Sequence, residues 1–322
     1  MRRREFIKAI GGSVVAWPAM AQQRERRIGI LAGGLEDNTT RANLTALREE
    51  LAKLGWIEGH NLRIDLRVNL SDLDRIRAHA VELISLTPDV IIASSRPATK
   101  VVQDLTKTIP IVFTAGDDPI TGGLLQNIAR PEGNTTGFTS TVDSLSGKWL
   151  ELLKEAAPHI TRVALVFNPQ TVNINYFRSI EAAASLIAVQ AIRTPALDPL
   201  ETVRVIDAFA VEPNSGLLVV PVFPADSYHM FHRVAAQHRL PGIHSNRSGV
   251  AAGGLMTYTA DLPDLNRRAA AYVDRLLRGA KVSELPVQFP TKFELVINLK
   301  AAKAIGLDIP ATLLARADEL IQ

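Results

Sequence analysis

From Arg27 onwards the chain alternates short β-branched and aliphatic runs with longer amphipathic stretches, the rhythm of βαβ units built around parallel sheets. Residues 27–32 read as a first strand. Leu44, Leu47, Leu51 and Leu54 then recur every three or four residues, which places them on one face of a helix. Residues 62–68 alternate as a half-buried strand and 71–86 have the helical period. Residues 89–93 and 109–114 are apolar runs of the length of buried strands. A second series begins near Thr161, with strands expected at 162–167 and 216–222 and helices at 173–188 and 225–238.

The two series resemble each other in detail. DVIIASSRPATKVVQDLTKTIPIVFTAGD in the first matches GLLVVPVFPADSYHMFHRVAAQHRLPGIHSNRSG in the second. In each, an apolar strand leads to Pro-Ala, an amphipathic helix, and a proline before the next strand. Pro97 and Pro224 are 127 residues apart and Pro110 and Pro241 are 131 apart, a nearly constant offset of the kind a duplicated α/β lobe produces. Turn-rich runs at 133–140 and 253–258 join the series. The helix that follows, with Leu265, Ala269, Tyr272, Val273 and Leu276 on one face, returns to the first lobe, and a third crossing falls near 279–286. The expected fold is therefore α/β, with two Rossmann-like lobes on parallel central sheets joined by a three-crossing hinge. The expected division is 27–139 plus about 257–285 for one lobe and 140–256 plus about 286–322 for the other. Such a hinge lets a cleft open and close.

The first 21 residues stand outside this pattern. Arg2, Arg3 and Arg4, the apolar run 9–17 and Ala19-Met20-Ala21 make the three-part layout of a cleavable secretory signal. The run is too short to span a bilayer, which takes roughly 20 apolar residues. Twin arginines are present, but Arg2 stands where the twin-arginine pattern prefers Ser or Thr, and the general secretory route is the expectation. Removing 1–21 takes away four of the 36 Lys and Arg and one of the 33 Asp and Glu, leaving 32 of each. The precursor's basic pI of about 9.2 is thus no sign of a nucleic-acid partner. With no cysteine, the chain has neither disulfides nor a lipoprotein anchor, and the expected location is the periplasm of a Gram-negative bacterium, as a monomer.

Ligands of open parallel sheets sit beyond the carboxyl ends of the strands. That rule selects Gly34, Ser94, Ser95, Arg96, Asp117 and Asp118 in the first lobe, and Asn168, Phe223 and the pair Ser245-Asn246 in the second. Free N–H groups at the helix openings near Pro97 and Pro224, with Ser94 and Ser95 beside them, suit a carboxylate, and Arg96 supplies a charge-assisted fork. Asp117 or Asp118 suits an ammonium group, although Asp118 before Pro119 also reads as the start of a turn. Phe223 and Tyr258 offer stacking surface, with hinge packing the other reading of Tyr258. His229 and His232 lie three apart on a helix, but no third ligand joins them and they read as a solvated face. No nucleophile is set beside a base and no phosphate loop is present, so neither catalysis, a metal nor a cofactor is expected.

Three stretches carry a family resemblance: IPIVFTAGDDPITGGLLQNIARPEGNTTGFTS, GGLMTYTADLPDLNRRAAAYVDRLLRGAK and LPVQFPTKFELVINLKAAKAIGLDIP. In that order they resemble the ABC-transporter substrate-binding proteins of the tryptophan-binding type. The resemblance implies a type I periplasmic binding-protein fold, capture of a small solute by lobe closure, and delivery to a membrane permease and ATPase. It also implies a pocket asparagine and an acidic residue after the first strand of the second lobe. Asn173 matches the asparagine, whereas no carboxylate stands in 168–173, which leaves room for organic acids or aromatic metabolites besides amino acids. A periplasmic sensor for a membrane receptor, and a cleft hydrolase, are the alternatives that the residues leave open.

Overall fold

The computed structural model describes residues 24–33, 38–69, 72–114, 116, 118–170, 172, 176–220 and 225–322. The signal segment 1–21 and the candidates Gly34, Asp117, Asn173 and Phe223 lie outside the described residues.

The first series folds as β1 (Arg26–Gly33), α1 (Asn38–Lys53), β2 (Leu62–Asn69), α2 (Leu73–Ser85), β3 (Val90–Ala93), α3 (Arg96–Leu105), β4 (Ile111–Phe113) and β5 (Thr135–Gly137). Its strands form one parallel sheet in the order β2-β1-β3-β4-β5. β3 and β4 are buried at every residue, as short β-branched runs between two helical layers should be. Asp72 caps α2 and Ser95 caps α3, with Pro97 in the first turn, where the missing N–H has no helical partner to lose.

The second series gives α4 (Asp143–Ala156), β6 (Arg162–Phe167), α5 (Tyr176–Leu186), β7 (Gln190–Pro195), α6 (Pro199–Ala210), β8 (Ser215–Val219), α7 (Ala225–Gln237), β9 (Gly242–His244), α8 (Arg247–Ala251) and β10 (Met256–Ala260). There follow α9 (Leu262–Leu277), a 3-10 turn at Val282–Glu284, β11 (Phe293–Asn298), α10 (Leu299–Ala304), α11 (Ala311–Leu314) and β12 (Glu319–Ile321). The second sheet runs β7-β6-β8-β9-β10-β11-β12, with β11 antiparallel to β10 and the other pairs parallel. Its first five strands repeat the order of the first sheet. β3-α3-β4 and β8-α7-β9, the segments whose prolines keep a nearly constant offset, occupy equivalent places.

The chain passes between the sheets three times. After β5 it delivers α4, whose Leu145, Trp149 and Leu153 are buried beneath the second sheet with Phe177 and Ile180 of α5. After β10 it delivers α9, whose Leu265, Ala269, Val273 and Leu276 complete the core beneath the first sheet with Leu44, Leu47 and Leu51 of α1. Each lobe therefore takes one covering helix from beyond a passage. The second passage falls at Asp261, a few residues beyond the approximate expectation, because Met256–Ala260 is still paired in the second sheet; Asp261 then caps α9 through Asp264 N at 2.9 Å. The third falls between Gln288 and Phe293, beyond the expected 286. Gln288 still bonds the first lobe's end, donating to Gly137 O at 2.9 Å and accepting from Thr139 N at 3.0 Å. Arg268 of α9 reaches across to this segment, donating to Phe289 O at 3.0 Å and lying 5.3 Å from the centre of the Phe138 ring.

Candidate functional site

The first two passages leave from the carboxyl ends of β5 and β10, so the carboxyl ends of both sheets are turned toward the space between the lobes. In the first lobe that end carries Ser94, Ser95, Arg96, Gly116 and Asp118. Ser94 is half-buried; its N–H bonds Leu31 O at 3.0 Å, and its hydroxyl accepts from Thr114 Oγ1 at 3.3 Å while keeping a proton to donate. Ser95 Oγ accepts from Ala98 N at 3.2 Å, so this hydroxyl is engaged in holding the helix. Arg96 is the first residue of α3, half-buried, with its Cβ 3.8 Å from where a side chain on Gly116 would begin. Asp118 is half-buried and accepts from Ile120 N at 2.9 Å through Oδ1, the turn-forming bond expected before Pro119.

The loop after β4 is pinned to the first passage. Gly116 N donates to Ser140 Oγ at 3.1 Å, and its carbonyl accepts from Ser140 N at 3.1 Å and from Thr141 Oγ1 at 2.9 Å. Gly116 adopts φ +120°, a conformation that side-chain-bearing residues rarely hold. Next in the chain, the hydroxyl of Thr139 is fully buried and has no hydrogen-bond partner among the described residues. Nothing in the local sequence singled out Thr139, Ser140 or Thr141, because their role depends on a loop 25 residues earlier.

In the second lobe Asn168 is buried, accepting from Gln170 N at 2.9 Å in its own loop and donating to Leu197 O at 3.3 Å in the connection after β7. Ser245 is buried, with its hydroxyl on Val219 O at 3.2 Å, and Asn246 caps α8 through Gly249 N at 3.1 Å. Arg247 follows, donating to Glu294 at 2.9 Å and to Glu319. Burial works against its charge, but the two carboxylates outweigh this and hold its pKa above the ordinary value. Tyr258 is half-buried and stacks on Phe293, 5.7 Å between centroids, while its carbonyl accepts from Trp149 Nε1 at 2.6 Å. That is the hinge packing which its position also allowed.

One expectation is corrected. His229 is exposed as expected, but His232 turns inward, its Nε2 lying 3.1 Å from Nε2 of His244. Three residues on a helix differ by about 60° in direction, enough for one imidazole to face water and the other the core. Among the described residues no group of three or more His, Asp or Glu is placed to hold a metal ion, and no helix is long and apolar enough to cross a membrane.

Comparison with known proteins agrees with this architecture. Residues 28–321 match the family described as ABC transporter substrate binding protein. The chain belongs to that family, which is one of solute-binding proteins and not of enzymes. A curated relative, the tyrosine-binding protein of Clostridioides difficile (strain R20291), is 28% identical over 264 residues, covering 79% of this chain and 73% of the relative. Among solved structures, a conserved domain protein of Vibrio cholerae O1 biovar El Tor superposes with a TM-score of 0.83 at 25% identity, covering 92% of this chain and all of that one. The ABC domain from Streptococcus pneumonia in complex with L-Trp gives the same TM-score, 0.83, at 21% identity over 92% of this chain and 100% of that one. The fold is thus the two-lobed type I periplasmic-binding architecture.

Proposed function

We propose that this chain captures a small organic solute between its lobes and hands it to the permease and ATPase of an importer, working in the periplasm after loss of residues 1–21. The observation that carries the reading is the apposition of two sheets of one strand order, carboxyl ends inward, joined by three short passages. A ligand held by both lobes binds the closed form better than the open one and so shifts the population between them. Ser94, Arg96 and Asp118 in the first lobe, with Gly34, Asp117, Asn173 and Phe223 selected from the sequence, form the proposed contact set. Ser95 and Asn168 support it by shaping α3 and the loop after β6. Tyr258 contributes by packing the hinge.

The names of the relatives support an amino acid with an aromatic side chain as the first ligand to test. Calorimetry and thermal-shift screens with L-tyrosine, L-tryptophan, L-phenylalanine and aromatic carboxylates should find at least one binder. A ligand at 100 times its Kd stabilises the fold by about 2.7 kcal/mol, a shift easily seen in melting. Mass spectrometry under native conditions of protein drawn gently from its own periplasm should show a retained small molecule. A screen with no binder at millimolar concentration, together with an empty protein by mass, would refute solute capture.

A further inference from the structure

His244 ends β9, is 3% exposed, and is sealed by glycines: a Cβ on Gly249 would lie 2.4 Å from its Nδ1, and one on Gly254 2.5 Å from its Nε2. Its Nε2 faces His232 Nε2 at 3.1 Å, and His232 Nδ1 lies 2.9 Å from Ala252 O. A carbonyl oxygen only accepts, so His232 carries its proton on Nδ1. Its Nε2 is then a lone pair, and His244 must donate to it from Nε2. This leaves His244 Nδ1 as a buried lone pair with no partner among the described residues. The two neutral imidazoles form a directional wire that ties α7 and β9 to the turn between α8 and β10. Tyr228, on the first turns of α7, stacks over His232 at 6.0 Å and meets His244 edge-on at 5.7 Å.

A proton added to this wire has nowhere favourable to go. On His232 Nε2 it would set one donor against another; on His244 Nδ1 it would find no acceptor among the described residues. No carboxylate among the described residues acts on the pair: His244 feels His232, and His232 feels its bond to Ala252 O and the exposed His229. Of the packed elements, β8 offers only Leu217 and Val219, and α8 offers Arg247, which Glu294 and Glu319 already hold. α10 carries Lys300 and Lys303, and α7 carries Arg233, all exposed. Burial pushes both imidazoles below the ordinary histidine pKa, most strongly at His244, which His232 also repels. A cavity of about 80 Å³ lined by both histidines, Phe231, Leu255 and Ala304 adjoins the pair and is large enough to hold water.

We propose that the His232–His244 pair is an acid-operated latch of the second lobe. Neutral, it locks α7 and the 252–254 turn against β9. Protonated, it lets go and loosens Ser245, Asn246 and the opening of α7, that lobe's share of the cleft, so that bound solute is released in acid. The release rests on the cleft reading above; the latch does not.

Imidazole nitrogen NMR of the ligand-free protein should show His232 protonated on Nδ1 and His244 on Nε2, both staying neutral below pH 6.5. Protection from hydrogen exchange over residues 240–256, each rate taken relative to the intrinsic amide rate at the same pH, should fall between pH 7.5 and 5.5, while that of the first sheet does not. A histidine neutral in the fold but titrating near 6.5 when unfolded binds its proton only in the unfolded chain. Stability is therefore complete above 6.5, and the folded-to-unfolded ratio falls about tenfold per pH unit below it for each such histidine. His232→Gln, which retains an amide donor for Ala252 O, should flatten that slope; if it fails to fold, the wild-type NMR and exchange decide alone. Histidines that titrate near 6.5 in the folded protein, or protection at 240–256 that does not change with pH, would overturn the latch. L-tyrosine, used as the probe, should bind more weakly at pH 5.5 than at 7.5. No binding at either pH would count against that ligand, with the exchange data still deciding the latch.

Discussion

Changing Trp149 to phenylalanine takes a donor from a carbonyl that has no strand left to turn to. The bonds from Asn298 N to Leu255 O and from Asp261 N to Lys292 O mark the odd-numbered residues of β10 as those hydrogen-bonded to β11. The Tyr258 carbonyl therefore points the other way, where β9 has already ended at His244. The indole N–H of Trp149 stands in for the missing strand at 2.6 Å, from a ring with no exposure at all. Leaving that acceptor bare costs about 1–3 kcal/mol. The smaller ring loses about 1 kcal/mol of packing, so the variant should lose about 2–4 kcal/mol in all. Trp56→Phe is the matched control. Its indole donates to Asp274 Oδ1 at 2.8 Å, but that atom also accepts from Arg278 Nε at 2.6 Å, so a partner remains. Its loss should stay near the packing contribution, about 1 kcal/mol. Urea titrations followed by far-ultraviolet circular dichroism, which does not depend on the indoles, compare the two. Equal losses would refute the role given to the Tyr258 carbonyl.

Gly137→Ala should destabilise by more than about 3 kcal/mol, because its Cβ would lie 2.1 Å from Phe113 O in the neighbouring strand; a normal melting curve would contradict the pairing of β4 with β5. Ser95→Ala should lose about 1 kcal/mol through the helix cap and change ligand affinity little, whereas Ser94→Ala should change affinity and hardly touch stability. Calorimetry beside denaturant titration separates the two. Arg268→Leu should speed amide exchange at residues 288–291, where its guanidinium holds Phe289 O, without affecting β6; unchanged exchange there would show the third passage to be held by other contacts.

The buried strands were readable because a parallel sheet covered on both faces leaves little but β-branched and aliphatic residues in β3 and β4. Prolines at helix openings and the near-constant offset between the series fixed the equivalence of the two halves. The strand β7 announces itself poorly: it lies at the sheet edge, with two of its six residues half-buried in succession and none fully buried, so alternation has nothing to record. The passages were displaced because Tyr258 and Gln288 are held by partners distant in sequence, Leu295 and Gly137. Site residues divided similarly. Ser95 as a cap follows from four consecutive residues, whereas the inward turn of His232 depends on β9 being laid beside α7, which no helical period can report.

The exchange of covering helices bears on when the protein can fold. A nascent chain that has reached residue 250 holds every strand of the first sheet, yet one face of that sheet is covered by α1 without its neighbour until α9 is made. Trp56 meets Asp274 across 218 residues of sequence. Contacts of such separation slow assembly and keep incomplete chains loose. The two lobes are accordingly not successive folding units along the ribosome's path: the first is finished only after most of the second has been synthesised.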